Sequence, residues 1–342
     1  MRFYDSKMNI KSIFINTLLF STLLFTSSCA LESNQDVDTP TLVNGKDIVI
    51  PKGAPTLSTY KMIVEGKAEV MSSATNIPPL FSTSSYPFIV FDSIKGIEII
   101  KKAGTNAHYE FDSMLTGGNF HLLAFNKEDE APTNLNISDS DYILGFQKGG
   151  TPDKLFRTIY SDVKSCDIYL DDINSLKDKL LSMDNEYRVD RKVIDYAVVA
   201  EPAATIIKSQ LIKKGLKVSD INLQGEYKKK FSASRNKDFI PQAGLFVRKD
   251  IKDNFPTYYK EIKTKISDSR KDVLSNTVSV KESIESKFSS AEEQNLNFGF
   301  NTKIITMVQG EKGEKNGFGI VPNDIHFSLN DIDIFNSSLI NQ

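Results

Sequence analysis

Short apolar runs alternate along this chain with segments whose apolar residues recur at helical spacing. Residues 47–50 (Asp-Ile-Val-Ile) suit a buried parallel strand. Leu57, Tyr60, Met62, Ile63 and Val64 then give residues 56–65 a helical face. Further strands are predicted at 68–71 and 87–91, a short strand or hairpin arm at 97–100, and apolar segments at 108–111 and 120–125. The pattern restarts with a strand at 142–146, a loop at 147–150 and a helix at 151–160. An apolar segment at 167–170, a helix at 173–183, a strand at 193–199 and a helix at 203–213 complete a second set. A strand follows at 243–248. Residues 255–290 then read as charged helix, with apolar spacing at Tyr258, Ile262, Ile266 and Val273. The last fifty residues read as short strands and turns around Gly310, Gly313 and Gly317. Strands alternating with helices across Gly/Pro loops predict an α/β fold of two units, each a mixed, mostly parallel sheet flanked by helices.

One apolar run belongs to neither unit. Residues 12–25 follow Lys7 and Lys11 and end in Thr26-Ser27-Ser28-Cys29-Ala30, the order of a secretory signal. An uncleaved membrane anchor is the rival reading, although the apolar stretch falls short of the roughly 20 residues that span a bilayer. The small residues before Cys29 resemble the lipobox of bacterial lipoproteins, although Thr26 stands where those proteins prefer Leu. That resemblance implies a signal peptide over 1–28, acylation of Cys29 (the palmitate site) and an anchor on the extracytoplasmic face of a membrane. Residues 29–46 are polar and turn-rich, as a flexible spacer would be.

Removing the leader leaves about 314 residues, enough for two domains. A formal charge of −2 advertises no basic face for nucleic acid. With Cys29 acylated, Cys166 is left without a partner and reads as a buried small hydrophobe.

Three small-residue loops stand at predicted strand ends: Gly53-Ala54-Pro55-Thr56, residues 72–75 with Ser73 and Thr75, and Gly149-Gly150-Thr151-Pro152. Such loops let a ligand approach backbone N–H groups, at the place where open α/β sheets bind ligands. They read equally as ordinary βα turns. Asn119 either caps a turn after Gly117 and Gly118 or points its amide at a ligand. Glu201 ends an apolar strand, so it faces a cleft or caps the next helix, and Gln242 carries the same ambiguity. Residues 148–151 lack the order of a phosphate-binding P-loop. His108, His121 and His326 are scattered without metal-ligand spacing, and no Gly-x-Ser-x-Gly elbow occurs. His121, between Phe120 and Leu122, reads as a structural histidine. Neither a metal nor a cofactor is expected.

The segments 149–156, 197–204 and 240–249, in that order, resemble the substrate-binding proteins of bacterial ABC importers, in the type II periplasmic-binding-protein group with sulfonate, nitrate and thiamine-precursor binders. The resemblance implies two lobes: 47–125 with a return at 241–342, and 126–240. Crossovers are expected near 120–140 and 236–246, with ligand closed between the lobes. It implies a monomeric, non-enzymatic binding lipoprotein that delivers a small polar solute to permease and ATPase subunits. Gly53, Ala54, Pro55, Thr56, Ser73, Thr75 and Asn119 would face that solute from one lobe, and Gly150, Thr151, Pro152 and Glu201 from the other, with Gln242 at the second crossover. Backbone donors plus Glu201 suggest a ligand with a cationic or amine end. An enzyme on the same fold, acting on a small heterocyclic or amine substrate, and a surface adhesin are the alternative readings.

Overall fold

A computed structural model describes residues 39–126, 137–163, 166–231 and 240–340. The leader, Cys29 and the first part of the spacer lie outside the described residues. The end of the spacer is not free chain: Val43 bridges Lys46, whose ammonium donates to the Gly66 carbonyl at 2.7 Å.

Among the described residues, twelve strands form two five-stranded sheets and a small hairpin. They are β1 (Ile48–Pro51), β2 (Ala68–Met71), β3 (Phe88–Asp92), β4 (Tyr109–Gly117), β5 (Phe120–Phe125), β6 (Ile143–Phe146), β7 (Ile168–Leu170), β8 (Arg188–Val189), β9 (Lys192–Val193), β10 (Tyr196–Ala200), β11 (Val218–Asn222) and β12 (Pro241–Arg248). The first sheet runs β2-β1-β3-β12-β4 and the second β11-β5-β10-β6-β7. Read from its β7 edge, the second sheet repeats the plan of the first. In each, four strands run one way and the strand in fourth place is reversed: β12 in the first, β5 in the second.

Both reversed strands are the ones the chain enters as it changes sheet. It leaves the first sheet at Gly117 and joins the second at Phe120, so the first crossing falls at 118–119, ahead of the expected 120–140. Residues 120–125 therefore belong with the second sheet, not with the first lobe. The return enters β12 at Pro241, after the helix Leu223–Phe231. β1, β3, β5, β6 and β10 are almost wholly buried, which is why they read as unbroken apolar runs.

Three sequence expectations change. The arm at 97–100 is part of a helix, Ser93–Ala103: the Asp92 carboxylate accepts from the Lys95 N–H at 2.9 Å, and Ile94 and Ile97 share the buried face. The helix at 56–65 breaks at Thr59 into Ala54–Ser58 and Tyr60–Val64. The last fifty residues are mainly helical: a Ser290/Glu293 capping box starts Ala291–Phe298, Asn301 caps Thr302–Gln309, and Leu329–Ile340 follows. Among their described residues, pairing is confined to the bridge from Ile320 to Thr116.

The helix Pro256–Ser275 buries Tyr258, Ile262, Ile266 and Val273 against the first sheet, the face its spacing predicts. The Leu329–Ile340 helix touches both sides. Lys101 pairs with Asp333 at 2.5 Å, while Lys154 donates to Asn336 at 3.1 Å and the Tyr227 ring meets Phe335 at 5.6 Å. No helix among the described residues is long and apolar enough to cross a membrane.

Candidate functional site

A cleft of about 110 Å³ opens where the carboxyl ends of the parallel strands of both sheets face each other. From the first sheet it takes residues at and just past the ends of β1 (Lys52, Gly53), β2 (Ser72, Ala74) and β3 (Asp92). From the second come those that follow β6 (Gln147), β7 (Asp172, Asn174) and β10 (Glu201, Pro202). The reversed strands add Phe120, Gln242 and Ala243 from their amino ends. The walls are mostly apolar, with Phe91, Phe120, Phe146, Ile173 and Ile206 among them.

Six of the twelve residues singled out from sequence line this space: Gly53, Ala54, Pro55, Pro152, Glu201 and Gln242. The other six stand behind or beside it. Thr56 is fully buried and its hydroxyl donates to the Gly53 carbonyl at 2.7 Å, holding the turn. Ser73 accepts from the Thr75 N–H at 3.3 Å, and the two hydroxyls share a bond at 2.8 Å, between the lining residues Ser72 and Ala74. Asn119 is buried; its carbonyl accepts from the Glu201 N–H at 2.9 Å, and its amide reaches the Glu201 carbonyl at 3.4 Å. Gly150 donates its N–H to the Gln147 carbonyl at 2.8 Å. Thr151 is fully buried, and its hydroxyl donates to Asp92 across the two sheets at 2.8 Å. These six therefore shape loops, and Thr151 joins the halves.

Two further bonds cross between the halves, from Asn174 to the Ser72 carbonyl at 3.5 Å and from Lys154 to Glu98 at 3.2 Å.

Glu201 is the most elaborately held group on the rim. Its carboxylate accepts from the Thr205 N–H at 3.0 Å and the Thr205 hydroxyl at 2.8 Å. His121 Nε2, buried and without a hydrogen-bond partner, lies 3.7 Å away, while Nδ1 of the same ring bonds Asp220 at 2.7 Å. Burial pushes the Glu201 carboxyl up, against the pull of His121 and Thr205. Burial alone would lower the His121 imidazole, but the bond and charge of Asp220, with the charge of Glu201, outweigh it and lift it above its ordinary value. For Asp220, burial is likewise outweighed, by His121 and Lys208, and its carboxyl sits below the usual range. The cluster holds Glu201 in place at the rim through Thr205, with His121 fixed behind it by Asp220.

The other acids of the cleft are also engaged. Asp92 accepts from Lys95 and Thr151; Asp172 caps the helix Ile173–Leu181 through the N–H groups of Asn174 at 2.8 Å and Ser175 at 3.0 Å. Lys52 and Lys177 differ: neither has an ion-pair partner among the described residues, and Lys177 reaches only the Asn174 side-chain oxygen, at 3.4 Å. Burial and the nearby Lys177 charge lower the Lys52 ammonium below its ordinary value. Sequence reading passed over both lysines and the whole 172–177 rim. The small-residue rule that selects the loops after β1, β2 and β6 does not reach the Asp171-Asp172-Ile173-Asn174 segment after β7; position at a strand's carboxyl end, without regard to residue size, would have.

No protein-family model matches this chain, and no curated protein does. Solved structures do. An ABC transporter from Parabacteroides distasonis matches 85% of this chain and 89% of its own, with 12% identity and a TM-score of 0.55. The periplasmic aliphatic sulphonate binding protein of Escherichia coli matches over 88% and 86%, with 12% identity and a TM-score of 0.52. A Candida albicans protein with the generic periplasmic binding protein fold matches over 88% and 90%, with 10% identity and a TM-score of 0.51. The chain has the periplasmic-binding-protein fold.

Proposed function

We propose that this protein is a solute-binding component of an ABC-type importer, which holds a small molecule between two lobes and presents it to permease and ATPase subunits. The observation that carries the reading is the cleft itself, lined by strand-end loops from both sheets around two chain crossings. A solute touching both rims favours the closed arrangement, since only contacts that differ between open and closed forms shift their balance. The sheet plan and the transport roles named for proteins of similar fold support the same reading. The aromatic and aliphatic walls suit a ligand with an apolar body. Binding is favoured over catalysis because the acids on the rim are engaged by N–H and hydroxyl donors, and His108 and His326 are exposed away from the cleft. The leader and Cys29 give the protein a membrane anchor on the extracytoplasmic side in this reading, and it acts as a monomer.

The test is a thermal-shift survey of small solutes on the mature protein and on Ala74→Trp, which fills the cleft. A true ligand raises Tm with concentration in the wild type and not in the variant. Shifts of equal size in both proteins, or none from any solute, contradict the proposal.

A further inference from the structure

We infer that the C-terminal helix Leu329–Ile340 is a strap across the seam between the halves, pinned by Lys154, and that it holds the cleft shut when no solute is bound. The inference rests on the solute-binding reading and adds how that cleft is kept closed. On one flank of the seam the helix Ser93–Ala103 of the first half meets Thr151–Ile159 of the second, which packs in turn on Leu223–Phe231. Leu329–Ile340 packs against the first two of these and reaches the third through Phe335 and Tyr227. Its Ile332 and Phe335 are buried in an apolar cluster that draws residues from both halves.

Lys154, on the Thr151–Ile159 helix, is where these elements meet. Its side chain is only 13% exposed, and its ammonium donates to Glu98 of the first half at 3.2 Å and to Asn336 of the strap at 3.1 Å. An ammonium so far out of water needs its acceptors. Both are in reach only while the two halves and the C-terminal helix stay together. One turn earlier the Thr151 hydroxyl crosses to Asp92, closing the same seam at the cleft edge. Lys101 and Asp333 add a second tie, but their side chains are 54% and 38% exposed and such a pair is worth little. The helices Ile173–Leu181 and Ala203–Lys213 pack together on the other face of the second sheet, as right-handed crossovers require. There the seam is held more lightly, by the 3.5 Å contact from Asn174 to the Ser72 carbonyl and by Ile206, half-buried against the core of the first half. A strap on one flank biases the balance toward the closed form before any solute arrives, so a solute supplies only the remaining difference.

The experiment reads two thiols in the mature protein without solute. Ala200→Cys places one on the cleft wall, where Ala200 is buried and a parting of the halves uncovers it. Cys166, buried inside the second half, is the internal reference for unfolding. Alkylation by N-ethylmaleimide is followed in the Ala200→Cys protein alone, with Lys154→Glu, with Glu98→Lys/Lys154→Glu, and with the chain ended after Ser328. Lys154→Glu sets a like charge against Glu98 and should speed alkylation at the cleft on the order of tenfold. The exchanged pair should restore most of the protection, and the shortened chain should react at least as fast as Lys154→Glu. Cys166 should stay protected throughout. A cleft thiol equally protected in Lys154→Glu and in the shortened chain overturns the strap. A faster rate that the exchanged pair does not reverse overturns the pinning by Lys154. Both thiols reacting together would make the helix part of the folded core, which overturns the inference too. The solute-binding reading is decided separately, by the solute survey, whatever these rates show.

Discussion

His121 shows how a residue can support a site without touching what the site holds. Its Nδ1 is fixed by Asp220, Lys208 stands 3.6 Å from that carboxylate, and its Nε2 faces Glu201 on the cleft rim. The folded imidazole titrates above its unfolded value near 6.5. A raised value means stability that is complete below about pH 6.5 and is lost as pH climbs through the folded value. Denaturant titrations of wild type and His121→Gln should therefore differ most below about pH 6 and draw together as pH rises above about 6.5. A constant gap would reduce His121 to packing. At this scale sequence was a partial guide. It marked Gly53, Pro152 and Glu201, which reach the cleft, because small residues and a lone acid at strand ends stand where α/β sheets bind ligands, although the same residues also serve as ordinary turns and caps. It could not separate them from Thr56 and Thr151, whose hydroxyls are spent on Gly53 and Asp92, since a hydroxyl's partner depends on which loops meet in space.

Among the elements, the helix Ser93–Ala103 was the hardest to read, and Gly96 explains why. An isoleucine-rich stretch with a glycine imitates a strand, yet the glycine is there for packing: a Cβ at Gly96 would lie 2.2 Å from the ring of Phe246, which is fully buried on β12. Gly→Ala in an ordinary helix interior stabilises by about 1 kcal/mol. Here overpacking should win, and Gly96→Ala should destabilise by about 1–3 kcal/mol. Urea unfolding midpoints measure it; a rise in midpoint would mean that Phe246 moves aside freely. The 203–213 helix, by contrast, was fully legible, because Pro202 precedes it and its buried positions Ala203, Ala204, Ile207 and Leu211 keep helical spacing. Ala291–Phe298 is hard to read because its start signal is a side-chain cap, Ser290, inside polar sequence of weak periodicity, whereas Thr302–Gln309 is a short apolar run that periodicity alone does not separate from a strand.

In the whole molecule, the two sheets share one plan, and each takes its reversed strand from the crossing chain. That exchange ties the halves together at two crossings and leaves their strand ends facing. The α/β pattern and its restart could be read from the chain; the position of the first crossing could not, because Phe120–Phe125 is equally apolar in either sheet and only pairing with β10 and β11 assigns it. Whether this arrangement holds a small solute is read by native mass spectrometry of the mature protein, purified gently from the cell envelope. A population carrying one extra small mass, absent from Ala74→Trp, is expected. A wild-type protein that always shows the bare chain mass, or an adduct retained equally by the filled-cleft variant, would contradict it.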